Sequence, residues 1–285
     1  MRGGGPAGEF RGIVERLTGG LLRGTKSLHE ESDSLTGKAV GAGNVFTGED
    51  IHIADGLRAD RDTPSAYATQ VEKHAPTSRT YLASIYNGRF HTNDSELARE
   101  YADSLTLAPE QMHSIVAAHM NGRKSGGIWL GDAAVTEFGH PTIKFKGTPE
   151  GWHEGQTWSD VPAVYSPKDR ALLVGRSASQ RVNEDAALHE FSHGVDHALG
   201  NPSHKRDFGR IHAQVMPIIE ALDPERARYF GPSNPGGKAE LFASGLAWFY
   251  RNPDAAEFAN SSDVARHLRN YYRDMHTRLE IPLSS

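Results

Sequence analysis

The stretch Ala186–Gly200 has the sequence AALHEFSHGVDHALG and holds the most specific motif in the chain. Within it, His189, Glu190 and His193 form the pattern HExxH. Residues four positions apart on an α-helix lie one turn apart on the same face, so both imidazoles can bind one zinc ion. Glu190 projects beside them, where its carboxylate can act as a general base on water without being a ligand.

The residues around this pattern predict a helix that is buried on one side. Four apolar residues recur at helical spacing on a face separate from the two histidines: Leu188, Phe191, Val195 and Leu199. Asn183 is suited to cap the N-terminus of this helix, with Glu184 and Asp185 in its first turn. Gly200 followed by Pro202 predicts its end.

The composition limits the classes of metal site and partner. The chain has 285 residues, no cysteine and 15 histidines. Without cysteine there can be no disulfide framework and no thiolate ligand, so a transition-metal site must use histidines and carboxylates. The net charge of −5 does not indicate a nucleic-acid partner. The longest uncharged apolar stretch, 241–250, is about half the roughly 20 residues that a membrane span needs.

A catalytic zinc site needs three protein ligands, so a third must lie elsewhere in the chain. On a straight helix His197 lies about 12 Å along the axis from His189, too far to share one ion with both histidines. We expect Asp196 to accept a hydrogen bond from a ligand imidazole and thereby to orient it.

Glu240 is the strongest candidate for the third ligand. It is the only carboxylate in the apolar helix predicted for 238–250, and a buried carboxylate is costly unless it is paired or bound to a cation. Small residues share its helical face, which permits close approach to the HExxH helix: Ala243, Ser244 and Ala247. The alternative is a carboxylate paired with Lys238 or Arg251 at a helix end.

The order of the predicted elements favours an α+β fold, with a small mixed β-sheet packed on a helical half that carries the HExxH helix. A helix is predicted to begin at Pro109 and to end at Asn121. Short strands are predicted at 128–130, 134–138, 143–146, 163–165 and 171–174, the last two forming a hairpin. Everything after about Asn183 has a helical pattern.

Residues 1–75 differ in composition from the rest. Residues 1–50 hold 12 of the 30 glycines, and Phe10 and Phe46 are the only aromatic residues before Tyr67. Such a segment has too little apolar area to offset its ordering entropy, so we predict a largely disordered leader or export segment. No apolar stretch follows the first arginines, so we expect no standard secretory signal peptide.

HExxH on one helix with a glutamate ligand on a later one resembles the gluzincin zinc proteases. More narrowly, His189–Gly200 and Glu240–Ala243 resemble the catalytic domain of anthrax lethal factor and related secreted bacterial toxins and effectors. Segment 151–165 is similar to one that precedes the zinc helix in such effectors. The resemblance covers roughly residues 105–280 and implies a zincin-like metallopeptidase domain over 76–285.

The resemblance also implies roles for single residues. His189, His193 and Glu240 would be the zinc ligands, and Glu190 the catalytic base. Two positions depart from the lethal-factor pattern: Ser244 stands where a second carboxylate is common, and Ser233 stands where a tyrosine stabilises the oxyanion. Tyr229 is a candidate for that last role, which stays open.

We therefore expect a zinc-dependent endopeptidase that acts on a protein substrate. The leader and the resemblance favour a secreted effector that is exported without a signal peptide and acts in the cytoplasm of a target cell; the alternative is a protease of the bacterial cytoplasm. Strands near 128–138 and 171–174 are expected to offer an edge for an extended substrate.

Two other functions stay open. One is a non-catalytic module that binds a partner and keeps zinc for stability, in which Asp196 or His197 would complete a closed site. The other is hydrolysis of a non-peptide amide.

Overall fold

The structure is a computed structural model that describes residues 78–147, 157–176, 185–252 and 254–282. The predicted leader, the first part of segment 151–165 and the predicted cap residue Asn183 lie outside the described residues. Within these ranges the chain forms eight α-helices and one four-stranded mixed sheet, which confirms the α+β class. None of these helices combines the length and the apolar character required to cross a bilayer.

The first half of the described chain supplies the sheet and three helices. In chain order these elements are α1 Ser78–Tyr86, β1 Phe90–Thr92, α2 Glu96–Leu105, α3 Glu110–Asn121, β2 Gly127–Leu130, β3 Ala163–Ser166 and β4 Ala171–Val174. The second half is helical, as predicted. Its elements are α4 Ala186–Ala198, α5 Arg206–Leu222, α6 Pro224–Phe230, α7 Gly237–Arg251 and α8 Ser262–Arg278.

The sheet has the strand order β1-β2-β4-β3. The first three of these are parallel, and β3 pairs antiparallel with β4 in the predicted hairpin. Because β2 and β4 are interior strands, their backbone groups are already paired on both sides. The predicted substrate edge along 128–138 and 171–174 is therefore wrong, and the free edges belong to β1 and β3.

Two of the predicted strands are also wrong. Residues 134–138 contain a short 3₁₀ turn, Val135–Glu137, and residues 143–146 form no strand. Their apolar side chains pack instead on the sheet, in a small cluster built on Val135, Val161, Val164, Ala171 and Leu173. Short apolar runs carry no information on whether they pair with a strand or cover one, which explains the error.

The HExxH helix, α4, lies in the main core. The four residues of its predicted apolar face, Leu188, Phe191, Val195 and Leu199, are all buried. Gly200 ends the helix in the left-handed conformation, with φ of +75°. Asp185 stands at the N-cap position rather than in the first turn, and its carboxylate pairs with Arg251 at 2.8 Å.

His113 on α3 connects several helices beneath α4. Its Nε2 donates to the carbonyl oxygen of Leu105 at 2.8 Å, and its Nδ1 accepts from the hydroxyl of Tyr86 at 2.9 Å. Its ring packs on Phe191, with ring centroids 4.6 Å apart. Burial lowers the pKa of His113 to about 4, against the opposing effect of the hydrogen bond to Leu105.

Because the His113 imidazole is neutral in the folded protein, we expect the protein to lose stability in acid. Between the unfolded pKa of 6.5 and the folded pKa of about 4, the unfolded chain binds a proton that the folded chain does not, so the free energy of unfolding falls as pH falls. From about pH 8 to about pH 5 we expect His113 to account for a loss of about 2 kcal/mol. Urea unfolding of wild type and His113→Gln at both values measures this difference; equal losses in the two proteins would contradict it.

Candidate metal centre

Helices α4 and α7 bring three potential ligand atoms to one point. Nε2 of His189 lies 3.2 Å from Nε2 of His193. Oε2 of Glu240 lies 3.2 Å from the first of these nitrogens and 3.3 Å from the second. The three atoms therefore form a nearly equilateral triangle, and no second group of three such residues converges within the described ranges.

The size of this triangle fits a metal ion. A tetrahedral ion with bonds of about 2.05 Å separates neighbouring ligand atoms by about 3.3 Å, close to the separations of 3.2 to 3.3 Å found here. Hydrogen bonds account for two sides of the triangle only, since two N–H groups that both donate to the Glu240 oxygen leave their nitrogens 3.2 Å apart with no bond between them. Two imidazoles and one carboxylate are a donor set that zinc accepts readily.

The electrostatics of the cluster favour a positive charge. Glu240 is 8% exposed, and burial alone would raise its pKa. The imidazoles, His193 foremost, outweigh that effect and bring the pKa of Glu240 well below its usual range. Burial likewise lowers the pKa of His193, but the Glu240 carboxylate raises it to about 9. These three residues could hold a divalent cation, which would take the place of the proton.

Two further side chains support the ligands. Ser244, one turn beyond Glu240 on α7, has its hydroxyl 3.3 Å from Nδ1 of His189. A neutral group thus lies beside this imidazole and can orient it. Tyr229 donates a hydrogen bond from its hydroxyl to Oε2 of Glu240.

The backbone between α6 and α7 brings Tyr229 to the ligand. A Cβ atom on Gly237 would lie 2.5 Å from the carbonyl oxygen of Gly231, so only glycine allows the two helices to meet this closely. Asn234 secures the turn by donating to the carbonyl oxygen of Tyr229 at 2.7 Å. Ser233 is exposed. In the sequence, Gly231 and Gly237 indicate a close approach of the backbone here, but they do not identify Glu240 as the partner of Tyr229.

Glu190 lies beside the triangle and is only 5% exposed. Its Oε2 accepts a hydrogen bond at 2.8 Å from the main-chain N–H of Tyr165 on β3. Burial raises the pKa of Glu190, against the lowering effect of the two imidazoles and of that N–H group. This carboxylate is separate from the three converging atoms, as expected of a base rather than a ligand.

Asp196 and His197 take no part in the cluster. Both carboxylate oxygens of Asp196 accept hydrogen bonds from Ser203, one from its N–H at 2.8 Å and one from its hydroxyl at 2.6 Å. The prediction that Asp196 orients a ligand imidazole is therefore wrong, because the turn after α4 lies closer to it. His197 hydrogen-bonds to His119 and Tyr165 instead. Neither residue is placed to complete a closed structural zinc site.

Of the alternative partners considered for Glu240, one is paired elsewhere and the other faces solvent. Arg251 pairs with Asp185, and Lys238 is exposed. The carboxylate is compensated by the two imidazoles and the phenol of Tyr229. Glu240 therefore lies with His189 and His193 in a group that could hold a metal ion, and its role as a ligand stays a prediction.

Among solved structures, the chain is similar to the Pro-Pro endopeptidase PPEP-2 from Paenibacillus alvei. The TM-score is 0.51 at 20% sequence identity, over 67% of this chain and 99% of that chain. At this identity the likeness shows the fold alone, and it supports the zincin-like α+β class predicted from the sequence. It gives no support to the narrower resemblance to anthrax lethal factor. No family model and no curated protein matches the chain.

Removal of a ligand should abolish tight zinc binding. We expect Glu240→Gln and His193→Ala to lose more than about 100-fold in zinc affinity, the upper range for loss of a residue that only supports a ligand. Competition with a chelating dye measures the affinity. His204→Ala removes an exposed imidazole just beyond α4 and serves as the matched control. We expect this variant to bind one zinc per chain. Equal zinc binding in all variants would exclude this site.

The contact of Tyr229 with Glu240 makes a second prediction. Tyr229→Phe removes only the hydroxyl that holds the ligand oxygen, so we expect zinc affinity to fall by about 10-fold. The same dye competition measures it. A variant that binds zinc as tightly as wild type but has lost turnover would instead assign the hydroxyl to the oxyanion.

Proposed function

We propose that this protein is a zinc-dependent endopeptidase. The observation that carries the proposal is the triangle of His189, His193 and Glu240, with the separate carboxylate of Glu190 beside it. The similarity in fold to an endopeptidase supports it. Zinc held there would supply a Lewis acid for the scissile carbonyl and a lowered pKa for water.

Glu190 would carry the proton transfers. Its carboxylate accepts a proton from the attacking water, and the resulting carboxylic acid donates that proton to the nitrogen of the leaving amine. Burial raises the pKa of Glu190, which makes the carboxylate a stronger base than an exposed one. The hydrogen bond from Tyr165 keeps one of its oxygens in place during the exchange.

The free edge of β3 is the surface best suited to an extended substrate. Among the described residues β3 pairs with β4 alone, and the N–H of Tyr165, which faces away from β4, is already donated to Glu190. An extended peptide can add to such an edge as a further strand, with main-chain hydrogen bonds that require no particular side chain. This placement brings the peptide bond close to α4.

Two finer parts of the proposal rest on grounds other than the metal cluster: that the substrates are peptides, and that the protein is secreted and acts in a target cell. Hydrolysis of a non-peptide amide would use the same zinc residues, so the choice of peptides rests on the likeness in fold. Secretion without a signal peptide and action in a target cell rest on the composition of 1–75 and on the resemblance to effectors. The peptide substrates and the action in a target cell are therefore parts of this proposal.

Glu190→Gln should abolish peptide cleavage and keep the metal. The amide preserves the shape of the side chain but cannot accept a proton, so we expect kcat to fall by about 10²-fold to 10⁴-fold with one zinc still bound per chain. Cleavage is measured on a peptide library that includes Pro-Pro sequences, because the similar structure is that of a Pro-Pro endopeptidase.

The same pair of proteins tests protein substrates. Extracts of candidate target cells are treated with wild type or with Glu190→Gln, and new N-termini are identified by mass spectrometry. Termini that appear only with wild type would identify substrates. Full activity of the Glu190 variant on the library would refute the assignment of the base.

A further inference from the structure

We propose that Tyr165 is a positioning residue for Glu190, and that its ring is anchored for this purpose by His197 and His119. This inference rests on the proposed function, since it concerns the catalytic base. It assigns a role to the histidine of α4 that the metal cluster leaves unused.

One face of α4 is directed at β3. Glu190, Gly194 and His197 follow one another at intervals of four and three positions, so they lie along a single line of the helix. The ring of Tyr165 covers this line at its middle, where a Cβ on Gly194 would lie 3.4 Å from Cε2 of the tyrosine. This is an ordinary van der Waals distance, so the ring lies directly over this face of the helix.

Tyr165 contacts both ends of the same line. Its main-chain N–H donates to Oε2 of Glu190 at 2.8 Å. Its hydroxyl lies 3.2 Å from Nδ1 of His197, and that Nδ1 lies 3.1 Å from Nε2 of His119 on α3. Tyr165 is thus held through its side chain by His197, and it holds Glu190 through its main-chain N–H.

The two imidazoles are suited to act as a fixed anchor. Burial and the nearby Arg170 guanidinium lower the pKa of His119 to about 2 and that of His197 to about 4. Neutral imidazoles each offer one donor and one acceptor, so they need no counter-ion. Nδ1 of His197 has one such position, which it shares between the hydroxyl of Tyr165 and Nε2 of His119. Arg170 also donates to the carbonyl oxygen of His119 at 3.0 Å, which secures the end of α3.

The anchor matters because β3 is an edge strand. Among the described residues β3 has β4 as its one neighbouring strand, so no second strand restrains its other side. Without the hydroxyl contact the ring of Tyr165 can shift along α4, and its N–H then moves away from Glu190. We expect zinc ligation to be unaffected, since the hydrogen bonds that join His189, His193 and Glu240 do not include Tyr165, His197 or His119.

Single-group substitutions test the network in the full-length, zinc-loaded protein. We expect Tyr165→Phe and His197→Phe to lower kcat about 10-fold, with KM changed by less than about twofold and zinc affinity unchanged. His197→Asn keeps a hydrogen-bonding group near the position of Nδ1, and we expect it to restore most of kcat. The double variant Tyr165→Phe/His197→Phe should be no slower than either single variant, because both break one network.

Tyr250→Phe is the matched control. It removes a buried tyrosine hydroxyl that bonds at 3.0 Å to an imidazole, Nε2 of His276 on α8. A comparable change in unfolding temperature with unchanged kcat separates stability from positioning. The proposal would be overturned if kcat is unchanged in Tyr165→Phe and His197→Phe or if their effects add in the double variant. It would also be overturned if His197→Asn is as slow as His197→Phe.

A second measurement separates this inference from the proposed function. Acetohydroxamate chelates zinc and can hydrogen-bond to a neighbouring carboxylate, so its affinity reports the position of Glu190 even if no peptide is cleaved. We expect Tyr165→Phe to bind it about fivefold more weakly, the loss of one hydrogen bond, and Tyr250→Phe to bind it as wild type does. Equal affinities in Tyr165→Phe and wild type would overturn the positioning role; lack of peptide cleavage by wild type would overturn only the proposed function.

Discussion

A carboxylate buried between two helices is the constraint on which the rest of the structure depends. Glu240 is 8% exposed, and a charge so withdrawn from water must be compensated by groups of the protein or by a cation. Two imidazoles of α4 and a phenol of α6 meet this need at a single oxygen atom. Helices α4, α6 and α7 are therefore tied to one point, and a donor triangle of zinc-binding size results.

Helix α4 serves three purposes with three faces. Its apolar face is buried in the core, its two ligand histidines face α7, and a third line from Glu190 to His197 faces β3. A helix fixed on all sides holds its side chains more precisely than a loop can, which suits a site that must place a base beside a metal. The histidine-rich composition reflects this support as much as metal binding, since His113, His197 and His276 each hydrogen-bond to a tyrosine hydroxyl.

The sequence predicted the helical half, the β3–β4 hairpin, the HExxH helix and Glu240 as its partner. These succeeded because each depends on a local period or on a residue out of place in its surroundings, such as one carboxylate in an apolar helix. The strands at 134–138 and 143–146 failed because apolar runs there cover the sheet instead of pairing with it. Asp196 failed because Ser203, in the turn after the helix, competes for its carboxylate more closely than any imidazole does.

The sequence by itself determined which atoms can bind a metal and that the two histidines share a helical face, because the helix pitch is a local property of the backbone. Only the tertiary structure decided what supports them. The contacts of Tyr229 with Glu240, of Tyr165 with Glu190 and of Ser244 with His189 span 11, 25 and 55 positions. Such contacts depend on how helices and strands pack and on which strand is left at the edge of the sheet, and no local pattern encodes either.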